Sequence, residues 1–374
     1  MADKKIRTRK SLLEIPIIKS AVVSMTTVLL GLIIGGILIL VIGNNPFEGF
    51  QKIIFGAVSN TRRVGNTIAY STQLILVGLS VAFAFKTGLF NIGGAGQMLM
   101  GGLMASIWAH NVTFLPQPIY YLSLILVAGL TGALWGLVPG LLKAKFNVHE
   151  VVGTIMFNWI AYWIVYDAVK VFIVDPSIIV KSKPIPITQS LRTEWLSQVT
   201  QHSYFNIGFF IAIVAVVVIW FILEKTTLGF NLKAVGSNRY CAEYAGIKVN
   251  RSIVISMAIA GCLAGLAGLT YYLGFSNIME IGKSPSEGFD GIAVALLGNS
   301  NPLGVFISAL FFGMLKMGKG SLTAIGIPTE IADTIIAIII YFTATSTIIY
   351  GFWNKVIKRS KERKLQKLEK KEAK

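Results

Sequence analysis

Long apolar runs are the feature of this 374-residue chain that most restricts its fold. The stretches 21–42, 207–223 and 331–350 approach or reach the ~20 residues that a helix needs to cross the hydrocarbon of a bilayer. Hydrophobic residues make up 54% of the chain and charged residues only 14%. In lipid a helix satisfies its own backbone hydrogen bonds, whereas an open strand does not. The sequence therefore predicts an all-α integral membrane protein.

Ten segments are predicted to cross or enter the membrane. They are roughly residues 20–43, 67–85, 91–110, 119–142, 150–174, 206–223, 251–273, 288–298, 302–320 and 331–353. The segment 288–298 is too short for a full crossing. It is either a re-entrant half-helix or a short tilted helix over which the bilayer thins. We thus expect about ten transmembrane helices, one of them short or re-entrant.

The net charge of +17 is concentrated at the two ends of the chain, since residues 1–19 hold six Lys and Arg and residues 355–374 hold ten. Basic segments beside membrane spans are typical of the cytoplasmic side, where anionic lipid headgroups are their expected contact. We predict a basic cytoplasmic N-terminus at 1–19, a transmembrane domain at 20–353 and a basic cytoplasmic tail at 354–374. The same distribution argues against a nucleic-acid partner.

Two long polar segments separate the spans. Residues 225–250 form a basic stretch of about two dozen residues where a simple turn needs only a few, which indicates a cytoplasmic docking surface for a soluble protein. Residues 175–205 form the longest external segment and contain Pro176, Pro184 and Pro186, so we expect no regular helix in its first half. This outer segment is either a rim for a delivered substrate or an external protein, or a plain connector.

Glycines recur at GxxxG spacing in two predicted spans. This spacing lets helix backbones approach closely in a membrane. The glycines are Gly132, Gly136 and Gly140 in one span and Gly261 and Gly265 in another. We predict helix–helix packing at these positions.

Polar side chains inside predicted spans are candidate functional residues, because burying a polar group in lipid costs free energy. Uncharged amides beside aromatic rings suit a neutral ligand with a planar or ring-shaped body. Hydrogen bonding between helices is the competing explanation for each polar residue. The candidates for a substrate pathway are Gln73, Phe90, Asn91, Gln97, Asn158, Trp159, Phe289 and Asp290.

The chain lacks the residue patterns of a catalytic or metal site. The sequence GMLKMGKGS at 313–321 nearly matches a phosphate-binding loop, but Gly320 stands where Ser or Thr must reach magnesium. His110, His149 and His202 are far apart in sequence and support neither metal ligation nor a catalytic triad. We therefore predict that the chain is not an enzyme and holds no metal or cofactor.

Four segments, taken in order, resemble the permease subunits of bacterial ABC importers. They are GLFNIGGAGQ at 88–97, NVHEVVGTIMFNWIA at 147–161, AVGSNRYCAEYAGI at 234–247 and GFDGIAVALLGNSNPLG at 288–304. The family carries branched-chain amino acids, simple sugars and nucleosides, and the nucleoside and simple-sugar branch is the most similar. The resemblance implies ATP-driven nucleoside uptake, with simple sugars such as ribose or galactose as the alternative. An ion-coupled secondary transporter is the alternative of another class, disfavoured by the few acidic residues within the spans.

The resemblance also implies partners and a location. It implies a second permease subunit, two cytoplasmic ATPase subunits that use ATP and magnesium, and a binding lipoprotein outside a bacterial cell membrane. In that family the loop matching 234–247 forms a short coupling helix seated in a groove of the ATPase. The matching positions are Gly236, Asn238, Ala242, Gly246 and Ile247.

One motif departs from its family pattern. Members of this branch often read GLFNIGAEGQ, whereas Gly94 and Ala95 here replace the Ala-Glu pair. A carboxylate is therefore absent from that turn. Our hypothesis is that this subunit is the unequal half of a permease heterodimer.

Overall fold

The computed structural model describes residues 16–346 and 349–355. Most of the predicted basic N-terminus, 1–19, and of the predicted basic tail, 354–374, lies outside the described residues. The described residues separate into two units, one formed by 16–46 with the residues from 330 onward and the other by 47–329.

Helices account for nearly all regular structure in this part of the chain. In order they are α1 (Pro16–Val41), α2 (Pro46–Val58), α3 (Thr61–Lys86), α4 (Gly94–Asn111), α5 (Gln117–Phe146), α6 (Glu150–Ala168), α7 (Glu194–Val199), α8 (Gly208–Lys225), α9 (Thr227–Ser237), α10 (Arg239–Tyr244), α11 (Val249–Leu269), α12 (Glu287–Leu297), α13 (Pro302–Gly318) and α14 (Thr329–Ala344). Short π-helical turns extend α6 over Val169–Ile173 and α11 over Thr270–Ser276.

The apolar helices coincide with the predicted spans. Seven of those described are long and apolar enough to cross a membrane: 21–41, 61–86, 117–146, 150–173, 208–225, 249–276 and 302–325. An eighth candidate joins α14 to a helix over Ile349–Lys355 with a bend of 57°. The remaining two predicted spans fall on α4, which has 18 residues, and α12, which has 11. The prediction of an all-α membrane fold is confirmed.

The helices α12 and α13 form a hairpin that packs along α3. A single methyl group added to Gly78 of α3 would lie 2.7 Å from Val294 of α12 and 2.9 Å from Val305 of α13. Nearer the start of α3, Gly313 of α13 lies against Ser71. The hairpin therefore turns back beside α3, short of the end of that helix, and this favours the re-entrant interpretation of 288–298.

The helices α4 and α12 begin side by side. A methyl group on Gly94 would lie 2.9 Å from the carbonyl oxygen of Gly288 and 3.6 Å from Val77, in the interior of α3. After α3 ends at Lys86 the chain therefore runs back along that helix as an irregular segment, residues 87–93, before α4 starts. Two interrupted helices thus meet within the bundle.

Close backbone packing joins α11 to its neighbours α5 and α4, as the glycine spacing predicts. A methyl group on Gly132 of α5 would lie 2.7 Å from Gly265 Cα and would also collide with the carbonyl oxygen of Gly261. On α4, the same addition to Gly101 would lie 2.5 Å from Gly265 Cα. Without side chains at these positions the helix backbones come into direct contact, which is how helices gain packing energy in lipid.

The outer segment 175–205 contains a small sheet that the sequence did not reveal. Strand β1 (Val174–Asp175) pairs antiparallel with β2 (Ile178–Ser182), and Ser182 N donates to the Met279 carbonyl at 2.8 Å. The sheet thereby ties this segment to the chain that follows α11. The first half of the segment contains no α-helix, as predicted, but it does contain one 3₁₀ turn at Ile187–Gln189, while α7 occupies part of the second half.

In the smaller unit, α1 packs against α14. Gly31 of α1 contacts Ile339, and Gly35 lies against Ile335. The Thr343 hydroxyl lies 3.5 Å from that of Thr27, and both side chains are buried. Trp353 Nε1 also donates to the Thr26 hydroxyl at 3.2 Å, so apolar packing and a few polar contacts together hold the unit.

We expect Gly132→Ala to destabilise the larger unit, because its methyl group meets the backbone of α11 rather than a movable side chain. Overpacking of this kind costs about 1–3 kcal/mol. The apparent melting temperature in detergent, measured by size-exclusion chromatography, should fall. Gly320→Ala is the matched control, since nothing lies within 4 Å of its added methyl group. Equal melting temperatures for the two variants would contradict the packing assignment.

Candidate functional site

Two of the candidate amides form a buried pair at the interrupted start of α4. Asn91 Nδ2 donates to Gln97 Oε1 at 3.1 Å, and each residue is only 1% exposed. Asn91 Oδ1 also accepts from the backbone N of Gly93 at 3.0 Å. The pair therefore supplies hydrogen bonds to backbone that lies outside any helix, which is what such a segment needs inside lipid.

Asn158 attaches α6 to the same segment. Its Oδ1 accepts from Gly96 N at 2.8 Å, and its Nδ2 donates to the Ile92 carbonyl at 3.0 Å. The structure thus brings Asn91, Gln97 and Asn158 to one place, although 147–161 and 88–97 are separate motifs. Both ends of the Asn158 amide are used within the protein, so hydrogen bonding between helices accounts for this residue.

Gln73 is different from these three amides. It lies on α3, is fully buried, and neither atom of its amide has a hydrogen-bond partner among the described residues. A buried amide without hydrogen bonds costs free energy. Among the candidates, Gln73 is therefore the amide whose hydrogen-bonding capacity remains available.

The three aromatic candidates all present surface to the outside of this chain. The side chains of Phe90, Phe289 and Trp159 are 36%, 47% and 58% exposed. Phe90 also stacks on Phe85 with ring centroids 5.1 Å apart. Phe289 and Trp159 directly follow Gly288 and Asn158, the residues through which α12 and α6 contact the start of α4. Each of these two rings is thus carried by the residue next to one that contacts the start of α4.

Asp290 takes part in a charged pair within the helix hairpin. Its carboxylate lies 3.0 Å from Lys316 Nζ on α13, and both side chains are at most 16% exposed. One turn earlier on α12, Glu287 Oε1 accepts a hydrogen bond from Tyr70 Oη of α3 at 3.1 Å. Lys316, Glu287 and Tyr70 were not among the predicted site residues, although an ionisable residue in an apolar stretch was the available signal.

The polar segment 225–250 folds into two short helices, α9 and α10. Asn238 caps α10 by accepting from Cys241 N at 3.0 Å, and Ala242 is buried against the helix bundle. Gly246 has a φ of +80°, a left-handed conformation that favours glycine. Ile247 packs against the same cluster as Ala242, and Gly236 contacts the backbone at Lys86. These five predicted positions therefore shape the loop and seat it on the bundle.

The exposed face of α10 carries residues that the sequence analysis did not select. Tyr240 and Tyr244 are 81% and 97% exposed, and they are one helical turn apart. Both lie on the side of α10 away from the buried Ala242. Their spacing of four residues was the sequence signal that could have identified them. Large exposed aromatic side chains of this kind are enriched at protein interfaces.

A recess of about 470 Å³ opens in the outer segment. Its lining mixes polar and apolar surface and comprises Gln117, Tyr121, Ile187, Thr188, Arg192, Thr193, Glu194, Trp195 and Gln198. Arg192 holds this region to the end of α11, because its Nε donates to the Gly274 carbonyl at 2.6 Å and a second nitrogen donates to that of Phe275. The recess is a second candidate contact surface, separate from α10.

Residues 63–344 match the family described as the permease component of branched-chain amino acid transport systems. The chain belongs to this permease family. It is 40% identical over 339 residues to a guanosine ABC transporter permease, NupP, of Bacillus subtilis, covering 90% of this chain and 97% of that protein. It is 37% identical over 336 residues to a nucleoside ABC transporter permease, NupB, of Lactococcus lactis, covering 88% and 92%.

A second nucleoside ABC transporter permease of the same Lactococcus lactis strain, NupC, is 25% identical to this chain over 255 residues, covering 67% of this chain and 80% of that protein. No solved structure matches the chain. The predicted family is confirmed, and this permease is a multi-pass membrane protein.

The departure from the family motif at 94–95 has a local structural basis in this permease. Ala95 is fully buried, and a methyl group on the facing Gly288 would lie 2.5 Å from Ala95 N and 2.7 Å from Ala95 Cβ. A glutamate side chain at position 95 would therefore require α12 to move. The small residues at 94 and 95 fit the close contact of α4 with α12.

We expect Asn158→Leu to destabilise the permease, because it leaves Gly96 N and the Ile92 carbonyl without the side chain that satisfies them. Each buried group that loses its partner costs about 1–3 kcal/mol. The apparent melting temperature in detergent should fall clearly below that of Met156→Leu, a control on the same helix at a 54% exposed position. An unchanged melting temperature together with lost transport would instead place Asn158 in contact with substrate.

Proposed function

We propose that this chain is the membrane permease subunit of an ATP-driven ABC importer that takes up nucleosides. The observation that carries the proposal is the near full-length similarity to two permeases named for guanosine and nucleoside transport, at 40% and 37% identity. The neutral amides and exposed aromatic rings of the candidate site suit a neutral, planar substrate, which supports the proposal of nucleoside uptake.

The proposed substrate path passes the beginnings of α4 and α12. Trp159 and Phe289 present their rings there, and Gln73 offers hydrogen-bonding groups that the described protein does not use. Asn91, Gln97 and Asn158 act as the support of this path, since their amides are occupied by the protein itself. The path thus combines exposed rings with a fixed polar framework.

Energy for transport comes, in this proposal, from separate cytoplasmic ATPase subunits that bind ATP and magnesium. The face of α10 with Tyr240 and Tyr244 is the docking surface for an ATPase. A turn at 245–248 joins α10 directly to α11, which packs against α3, α4 and α5. Movement of α10 as a rigid body is therefore transmitted to the helices that line the path, biasing inward or outward access.

This arrangement also fixes the proposed topology. Since α10 meets the ATPase, its end of the bundle is cytoplasmic, as are both basic termini, in the bacterial cell membrane. The outer segment then faces the exterior, where its recess of about 470 Å³ receives a substrate-binding lipoprotein.

A second permease completes the proposed transporter, and we infer that it differs from this chain. Lactococcus lactis has two nucleoside ABC transporter permeases, of which one is 37% and the other 25% identical to this chain. The presence of a more similar and a less similar permease in one organism supports a heterodimer in which this chain is the NupB-like half.

Affinity purification of the tagged permease from its own cells is expected to recover an ATPase and a second, non-identical permease by mass spectrometry. Tyr240→Ala combined with Tyr244→Ala should reduce ATPase recovery at least fivefold while the second permease remains. Loss of exposed tyrosines at the centre of an interface commonly costs about 2 kcal/mol or more. Trp195→Ala, at a 60% exposed position of the outer segment, is the matched control. Undiminished ATPase recovery would refute the docking surface, and recovery of this chain as the sole permease would refute the heterodimer.

Uptake of labelled guanosine, adenosine and uridine, with ribose as comparison, tests the substrate and the energy source together. Cells that carry the gene should accumulate nucleosides, and cells that lack it should not. Depletion of ATP at constant proton gradient should abolish this uptake. Gene-dependent uptake of ribose alone would assign a sugar transporter, whereas uptake that follows the proton gradient would contradict the ABC mechanism.

A further inference from the structure

Four aromatic rings form a continuous stripe along α6. Their centroids are 5.7 Å apart between Trp159 and Tyr162, 5.2 Å between Tyr162 and Trp163, and 5.4 Å between Trp163 and Tyr166. Spacings of three and four residues place all four on one side of the helix. Lys170 ends the stripe, with its Nζ 3.7 Å from the centre of the Tyr166 ring.

The stripe lies in an unusual place for a helix that faces lipid. Trp163 is near the middle of the apolar span 150–173, whereas Trp and Tyr normally concentrate at the two membrane surfaces. Trp159 and Trp163 are nevertheless 58% and 56% exposed in this chain. Exposed aliphatic residues, Ile160 and Ile164, follow the two tryptophans along the helix. The exposed part of α6 therefore has an aliphatic stripe suited to lipid and an aromatic stripe beside it.

Irregular, polar backbone borders the aromatic stripe. Tyr162 Oη donates to the carbonyl of Gly282 at 3.2 Å, so the segment between α11 and α12 reaches the middle of the α6 span. Gly282, Lys283 and Ser284 of this segment are exposed, and Lys283 pairs with Glu280 at 3.0 Å. Backbone without helical hydrogen bonds is tolerated at membrane depth only where protein covers it or water fills a cavity. The aromatic stripe therefore borders backbone that, within a membrane, either a partner subunit or a water-filled passage must cover.

We propose that the aromatic stripe Trp159, Tyr162, Trp163 and Tyr166 is the wall on which the nucleobase of the substrate stacks during transport. Every base has a π face that stacks on indole and phenol rings without regard to its hydrogen-bonding edge. Rings repeated along α6 offer successive stacking positions, so a base moves along the stripe without full exposure to water. Purine nucleosides, with the larger ring area, bind better here than uridine, and free ribose has no base to stack. This inference rests on the proposed nucleoside function.

The stripe is tested by transport kinetics of the complete transporter in cells. Trp163→Leu and Trp159→Leu keep an apolar side chain but remove the ring, and each should raise the KM for guanosine and adenosine about tenfold. Trp163→Phe should stay within about threefold of the unaltered protein, because a ring remains. Trp220→Leu on α8, at a 38% exposed position outside the stripe, is the matched control and should leave KM unchanged.

A competition measurement tests the stripe in the unaltered transporter, so its result does not depend on the folding of any variant. Free adenine should inhibit labelled guanosine uptake, whereas free ribose at the same concentration should not. Inhibition by ribose without inhibition by adenine would overturn the stacking wall.

The remaining outcomes separate the two proposals. Nucleoside uptake with an unchanged KM in both leucine variants would refute the stripe and leave the proposed function intact. Loss of the co-purified second permease from the leucine variants would assign the stripe to a subunit interface and refute base stacking. A transporter that takes up no nucleoside would refute the proposed function, and the stripe proposal with it.

Discussion

The structure depends on the requirement that backbone outside a helix find hydrogen bonds where lipid supplies none. Two helices, α4 and α12, begin inside the bundle, and the chain before α4 has no helical partners. Asn91 and Asn158 supply the missing bonds at Gly93, Gly96 and Ile92. Buried amides of this kind permit interrupted helices, and interrupted helices bring irregular backbone and polar groups to the depth at which a polar solute must cross.

A second constraint links this interrupted region to the face of α10 that we propose as the ATPase docking surface. The glycine contacts of α11 with α5 and α4 leave no side chains between the helix backbones, so these three helices pack in direct backbone contact. Four residues, 245–248, separate α10 from α11, and this loop is seated by Ala242 and turned by Gly246. In the proposed mechanism, rigid packing thus carries a movement of α10 into the bundle.

Much of the fold follows from sequence because span length and hydropathy are local properties. Every predicted span falls on a helix, and the GxxxG positions mark real backbone contacts. The sequence did not reveal which residues the charged side chains pair with. Lys316 lies in an apolar run within a motif dismissed as a false phosphate-binding loop, and its partner Asp290 belongs to another helix. The spacing of the α10 tyrosines is visible in the sequence, but their exposure follows from the burial of Ala242 on the opposite side of the helix.

The sequence by itself determined the membrane environment, the position of the helices, the polar segment 225–250 and the permease family, since composition and ordered motifs carry that information. Only the tertiary structure decided which candidate residues hold the protein together and which remain available. Asn158 and Trp159 are adjacent in sequence, yet one is bonded to the start of α4 and the other presents its ring outward. Their roles diverge because burial and hydrogen bonding depend on segments more than 60 residues away in the chain.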